Sequence, residues 1–156
     1  MTKRGLDAPD VRIIQPLVYV IGLVVGLLVS VWLPTKVVSD ALAWSLGGFL
    51  FVCGAALAGS AVLRFLSEGT TVRPDRAPAT FVIAGPYKIT RNPMYVGLAI
   101  AYVGIAIADQ SLWALILLPV VLAIINRAVI AREESFLSRK FGSDYLAYQK
   151  RVRRWL

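Results

Sequence analysis

Four apolar runs, at residues 13–33, 41–66, 93–108 and 112–130, constrain the fold of this chain more than any other feature. Crossing a hydrocarbon core of about 30 Å takes about 20 apolar residues at 1.5 Å per residue, and the first two runs reach that length. The third spans roughly 24 Å at the same rise and falls somewhat short of one interface. Hydrophobic residues make up 58% of the chain, above the 45–50% or so of ordinary soluble domains. The expected fold class is all-α: a polytopic membrane protein with four transmembrane helices, a C-terminal helical hairpin and an amphipathic cytoplasmic tail helix. Residues 1–156 are read as a single integral membrane domain.

Ala41-Leu42-Ala43 has the form of a signal cleavage site. The apolar stretch before it runs to about 20 residues, where a signal peptide has about 7–15, so the first run is read as a retained span. Orientation follows from the basic residues. Of the 17 Lys and Arg, all but Lys36 lie before the first run, in the 67–92 connection or its margins, or from the end of the last run onward. Positive charge collects on the cytoplasmic side, which places both termini and the 67–92 connection there. The expected location is a prokaryotic inner membrane, inferred from the small size alone.

The net charge of +8 is read as this topology plus attraction to anionic headgroups, and no nucleic-acid partner is expected. Histidine is absent and Cys53 is the single cysteine. That excludes histidine acid–base chemistry, an internal disulfide and multi-cysteine metal sites, and no metal is expected.

Small residues recur at four-residue intervals as Gly22/Gly26/Ser30, Ala55/Gly59, Gly97/Ala101 and Gly104/Ala108. In lipid such stripes let helices approach closely, so they are read as packing seams. The first also offers a face for a homodimer. Pro119 should kink the last span. A strand-like piece is expected at 79–84. Leu137, Phe141, Tyr145, Tyr148, Val152 and Trp155 recur every three or four residues, predicting an amphipathic tail helix broken near Gly142.

The turn 109–111 joins the last two runs, and so short a connection makes antiparallel neighbours. The polar start of one, Arg91-Asn92-Pro93, then lies beside the polar end of the other, Arg132-Glu133-Glu134. Tyr87, Arg91, Tyr95, Asn126, Arg127 and the two glutamates are expected to line one pocket at the cytoplasmic interface. Helical spacing puts Glu133 on the face of Asn126, and Glu134 on that of Arg127. Taken singly, these residues also read as interfacial charges and an aromatic belt.

Gly85-Pro86-Tyr87, Arg91-Asn92-Pro93-Met94-Tyr95-x-Gly97, Arg132-Glu133-Glu134 and Phe141-Gly142-x-x-Tyr145-x-x-Tyr148 together resemble the isoprenylcysteine carboxyl methyltransferase and phospholipid methyltransferase superfamily of integral membrane enzymes. The likeness covers about half the chain, roughly residues 80–156. It implies an S-adenosylmethionine pocket formed with Tyr87, Asn92, Pro93, Tyr95, Gly97, Glu133 and Glu134. It also implies that Arg91 and Arg153 handle an anionic group. Asparagine stands at 92 where many members have histidine; it donates a hydrogen bond but does not titrate. The expected activity is methyl transfer to a lipophilic or lipidated substrate entering from membrane lipid, with Arg91, Glu134 and Arg153 as the catalytic candidates. A carboxylate acceptor needs orientation and no base. An amine acceptor needs a proton acceptor, for which Glu134 is the candidate. From another class stands a non-catalytic four-helix scaffold or small transporter. No Asp or Glu lies within an apolar run, which argues against proton-coupled transport.

Overall fold

The computed structural model describes residues 15–68 and 82–156. The elements are α1 (Gln15–Trp32), α2 (Asp40–Ser67), a 3-10 turn (Gly85–Lys88), α3 (Pro93–Ala108), α4 (Leu112–Ile124), a π-helical turn (Ile125–Ile130) and α5 (Ala131–Arg151). The described residues are helical with one isolated parallel bridge, Thr90 to Arg153. Residues 79–81 of the expected strand-like piece lie outside the described residues, and 82–84 form no strand. Lys3, Arg4, Arg12, Arg73 and Arg76 also lie outside them.

Two helical stretches, Asp40–Ser67 and Leu112–Arg151, are long and apolar enough to cross a membrane; Pro16–Trp32 and Pro93–Ala108 are shorter apolar helices. From Leu112 to the break at Gly142 the second is about 45 Å long, longer than a hydrocarbon core of about 30 Å. Its apolar part ends at Ile130, and the charged part beyond begins at Arg132. Large apolar side chains stand uncovered on the outside, among them Trp44 at 72%, Leu63 at 68% and Phe49 at 65% exposure. In water such a surface is an association liability; in lipid it is the solvated face.

Close backbone approach holds the bundle together. α2 packs on α3 through Gly47 and Gly54 against Gly97, Ala101, Gly104 and Ala108. A Cβ added at Gly104 would sit 2.5 Å from the Phe51 nitrogen and 2.6 Å from the Gly47 oxygen. α1 packs on α4, where Gly26 meets the backbone of Ala114 and Gly22 meets Val121. The Gly22/Gly26 face expected to pair with a second copy is therefore used inside the chain. The expected Ala55/Gly59 seam is corrected too: Ala55 is exposed and Gly59 has open space around it. The true α2 seam lies on the neighbouring face.

Polar side chains tie the outer end. Gln110, at φ 59°, accepts hydrogen bonds from Val37 N at 2.9 Å and Val38 N at 3.1 Å, and donates to the Val38 carbonyl at 2.9 Å. Ser111 caps α4 by accepting from Ala114 N at 3.1 Å, and its Oγ lies 2.6 Å from Ser30 Oγ. Tyr102 donates across the hairpin to the Ala114 carbonyl at 2.9 Å. The turn at 109–111 thus joins antiparallel helices as expected. α4 runs through Pro119, and the departure from α geometry comes later, at the π-helical turn. Gly142 breaks the tail helix as expected, with φ 53° and ψ −127°.

Gly104→Ala forces backbone apart and should cost about 1–3 kcal/mol. Gly59→Ala, which meets nothing within 4 Å, should be neutral or slightly stabilising because alanine favours helix. Thermal unfolding in neutral detergent checks the pair: Gly104→Ala should melt below wild type and Gly59→Ala should not.

Candidate functional site

The end of the hairpin opposite the 109–111 turn, called the inner end after its expected orientation, gathers its polar side chains from four short stretches. Pro93 occupies the first turn of α3, where its missing N–H costs nothing and its fixed φ suits the helix. Asn92 and Thr90 precede it and are almost fully buried. The Thr90 hydroxyl accepts from Asn92 N at 3.2 Å. Two residues into α3, the Tyr95 hydroxyl donates to the Glu133 carboxylate, at 3.0 Å from Oε1 and 3.1 Å from Oε2. Tyr19 of α1 donates to the Tyr95 carbonyl at 3.1 Å, bringing a third helix to the same spot.

Glu134 is the centre of a second group. It is only 8% exposed. Arg91 Nη1 lies 3.1 Å from its Oε1, and Arg154 grips it as a fork, Nε to Oε1 at 3.1 Å and Nη2 to Oε2. Arg154 Nη1 also donates to Asn126 Oδ1 at 3.3 Å. Arg91 Nε and Nη1 are buried without a hydrogen-bond partner, an arrangement that carries a penalty unless a ligand answers it.

The π-helical turn decides which glutamate goes where. A regular helix would align residues seven apart, matching Glu133 to Asn126 and Glu134 to Arg127. Instead Glu134 shares Arg154 with Asn126, eight residues away. The i→i+5 bonding of Ile125–Ile130 absorbs the additional residue. Glu134 therefore turns toward the arginines and Glu133 toward Tyr95, correcting the expected pairing.

The C-terminal segment completes the site. The expected tail helix ends at Arg151, and Val152 is extended, with φ −123° and ψ 131°. The segment runs beside the start of α3: Arg91 N donates to the Arg153 carbonyl at 2.9 Å, while Asn92 Nδ2 and Thr90 Oγ1 donate to the Arg154 carbonyl at 2.8 and 3.1 Å. Trp155 packs on the apolar core rather than continuing a helical stripe. Tyr148 donates to the Tyr87 carbonyl at 2.7 Å, and the Tyr87 ring lies 5.7 Å from that of Phe65.

Most of the expected site residues thus converge: Tyr87, Arg91, Asn92, Pro93, Tyr95, Glu133 and Glu134 lie within one connected set of contacts at the inner end. Three do not join it as expected, one of them Arg127, which is exposed. Arg153 is exposed and contributes its backbone carbonyl; the neighbouring Arg154 supplies the guanidinium. Gly97 faces α2, where a Cβ would lie 2.6 Å from Ala58 N, so close helix packing accounts for it. Thr90, Tyr148 and Arg154 were not among the expected site residues. Arg154 carried no distinguishing signal among its basic neighbours, because its role depends on where the helix stops.

The electrostatics separate the two acids. Burial pushes the Glu133 carboxyl up to about 7, the Tyr95 hydroxyl bond opposes that rise, and the charge of Glu134 adds to it. Burial raises the Tyr87 phenol, with Tyr148 and Glu133 contributing, so it stays a neutral donor. Among the described residues no group of three or more His, Cys, Asp or Glu is placed to hold a metal ion.

The family profile described as "Phospholipid methyltransferase" matches residues 42–144. An uncharacterized protein of Haemophilus influenzae is 54% identical over 33 residues, which are 21% of this chain and 52% of that protein. The chain thus spans about half the length of the curated relative it matches. No solved structure matches it.

Glu134→Ala would leave two guanidiniums facing each other without their shared carboxylate. The expected loss of stability is about 2–3 kcal/mol, at the low end for buried pairs because Arg154 is partly open to solvent. Denaturant or thermal unfolding reads it, and an unchanged midpoint would show that the cluster contributes little to the fold.

Proposed function

Because this chain belongs to the phospholipid methyltransferase family, we propose that it is an integral membrane enzyme transferring methyl groups from S-adenosylmethionine to a lipophilic substrate at the cytoplasmic interface. The single observation that carries the reading is the joining of Tyr95–Glu133 to the Arg91–Glu134–Arg154 cluster at one end of the bundle. In this topology α1 and α3 complete four crossings, both termini face the cytoplasm, and the exposed faces of α1 and α2 meet membrane lipid.

The residues present suit the chemistry of that cofactor. Its ammonium or ribose hydroxyls call for a carboxylate, which Glu133 offers; its carboxylate calls for donors, which Arg91 holds unanswered. Tyr87 and Tyr95 offer ring faces to a sulfonium, a contact worth about 0.5–2 kcal/mol. When bound, the cofactor supplies an already activated methyl group, so the protein contributes orientation and electrostatics. Asn92 takes part through its neutral amide, which holds the C-terminal segment in place.

A carboxylate acceptor, as in isoprenylcysteine-type O-methylation, forms its ester without releasing a proton, and the site then needs only a positive group to orient it. A specific observation favours a second reading. Glu133, with its carboxyl raised to about 7, is suited to take a proton from an amine acceptor, as in phospholipid N-methylation. Glu134, the acceptor expected from sequence, has both oxygens engaged by Arg154. Incubating the purified protein with methyl-labelled cofactor and total lipid extract separates the two. Label released as methanol by mild alkali indicates an ester; label retained through alkali on an amine headgroup indicates N-methylation. A non-catalytic scaffold would transfer none.

Calorimetry with S-adenosylhomocysteine on detergent-purified protein tests cofactor recognition. Micromolar binding, lost in Glu133→Ala and weakened in Tyr95→Phe, is the expected result; no binding at millimolar ligand would remove the enzyme reading. The pH dependence has a defined sign. Glu133 is ionised above about 7, so attraction to a ligand ammonium is present there and fades as pH falls through that value. From one unit above to one unit below, affinity should drop about tenfold in wild type, and Glu133→Gln should flatten the profile.

A further inference from the structure

Arg91 is largely enclosed, with its side chain 12% exposed, yet two of its nitrogens lack hydrogen-bond partners. Its obvious partner is already engaged. Arg154 reaches both Glu134 oxygens as a fork, whereas Arg91 Nη1 stands 3.1 Å from Oε1 as an ion pair without hydrogen-bond geometry. Two guanidiniums against one carboxylate leave one positive charge in excess. Of the groups around the pair, the neutral Asn126 amide accepts from Arg154, the Tyr145 phenol, which burial keeps protonated, lies against Arg91, and Glu133, its carboxyl raised to about 7, stands beside Glu134 and is bonded to Tyr95.

We propose that Arg154 is a positioning residue: by hydrogen-bonding both Glu134 oxygens it leaves Arg91 only a share of that carboxylate's charge, with donors open for an anionic group of the ligand, a carboxylate or a phosphate. The inference rests on the ligand-binding reading above and adds the residue that sets the site's charge. Its placement is built in through the backbone. The carbonyls of Arg153 and Arg154 are fixed by Arg91 N, Asn92 Nδ2 and Thr90 Oγ1, so the segment bearing Arg154 is registered against the segment bearing Arg91. In the absence of the Arg154 side chain, Glu134 turns wholly to Arg91, and the anion site loses net charge and open donors without loss of Arg91 itself.

The test compares wild type, Arg154→Ala, Arg154→Lys and Arg154→Ala/Glu134→Gln, each as full chain in neutral detergent. Calorimetry uses two probes, S-adenosylhomocysteine and decanoate, which separate a cofactor carboxylate from a substrate-type anion. Arg154→Ala should weaken at least one probe by about tenfold, and Arg154→Lys should retain part of the affinity. The double variant should recover much of what Arg154→Ala loses, because Arg91 is again unopposed, while its melting temperature stays below wild type. A merely structural role would leave the double variant as weak as the single one, and that result would overturn the proposal. Undiminished binding of both probes in Arg154→Ala would overturn it too, leaving the function intact. Wild type binding neither probe would remove the function and this inference together.

Discussion

One buried carboxylate holds the inner end of this molecule together. Glu134 lies where α5 leaves the π-helical turn, and two arginines from opposite ends of the second half of the chain meet on it. Taking a carboxylate out of water is unfavourable unless its oxygens are answered, so the site forms as a unit or not at all. The C-terminal segment, the start of α3 and the rod of α4 and α5 are all fixed through it. Tyr95 and Glu133 then have a defined position beside the cluster.

The glycine seams make that convergence possible. α3 can lie directly on α2 because Gly47, Gly54, Gly97 and Gly104 leave no side chain between the backbones. The same contact hides Gly97 from the site. At the far end, Gln110 and Ser111 lock the outer turn to α1 and to the α1–α2 connection. The bundle is thus polar and tied at both ends and apolar along its flanks, as a helical bundle in lipid requires.

Much of this was legible in the sequence. Apolar length and turn length depend on local chemistry alone, so the helices, the hairpin and the break at Gly142 could be read directly. The gathering of Arg91, Tyr95, Glu133 and Glu134 followed from the hairpin. What escaped depends on context. A helical wheel assumes one register, and the π-helical turn shifts that register with no residue to announce it, bringing Glu134 to Asn126 and leaving Glu133 to Tyr95. The Ala55/Gly59 stripe looks like a seam because composition does not say which face of α2 meets α3. The resemblance pointed to Arg153 rather than Arg154, and the tail was read as helix to Trp155, while its last residues are held extended by backbone hydrogen bonds that carry no side-chain signature.

The central claim is that the cofactor lies at the inner end, between the start of α3 and the junction of the π-helical turn with α5. Ultraviolet crosslinking of methyl-labelled S-adenosylmethionine to the purified chain, followed by peptide mapping, tests it most directly. The account predicts label within residues 87–95 or 126–134, competed away by S-adenosylhomocysteine. Competable label confined to the outer turn at 109–111, or on the exposed flank of α2, would contradict it.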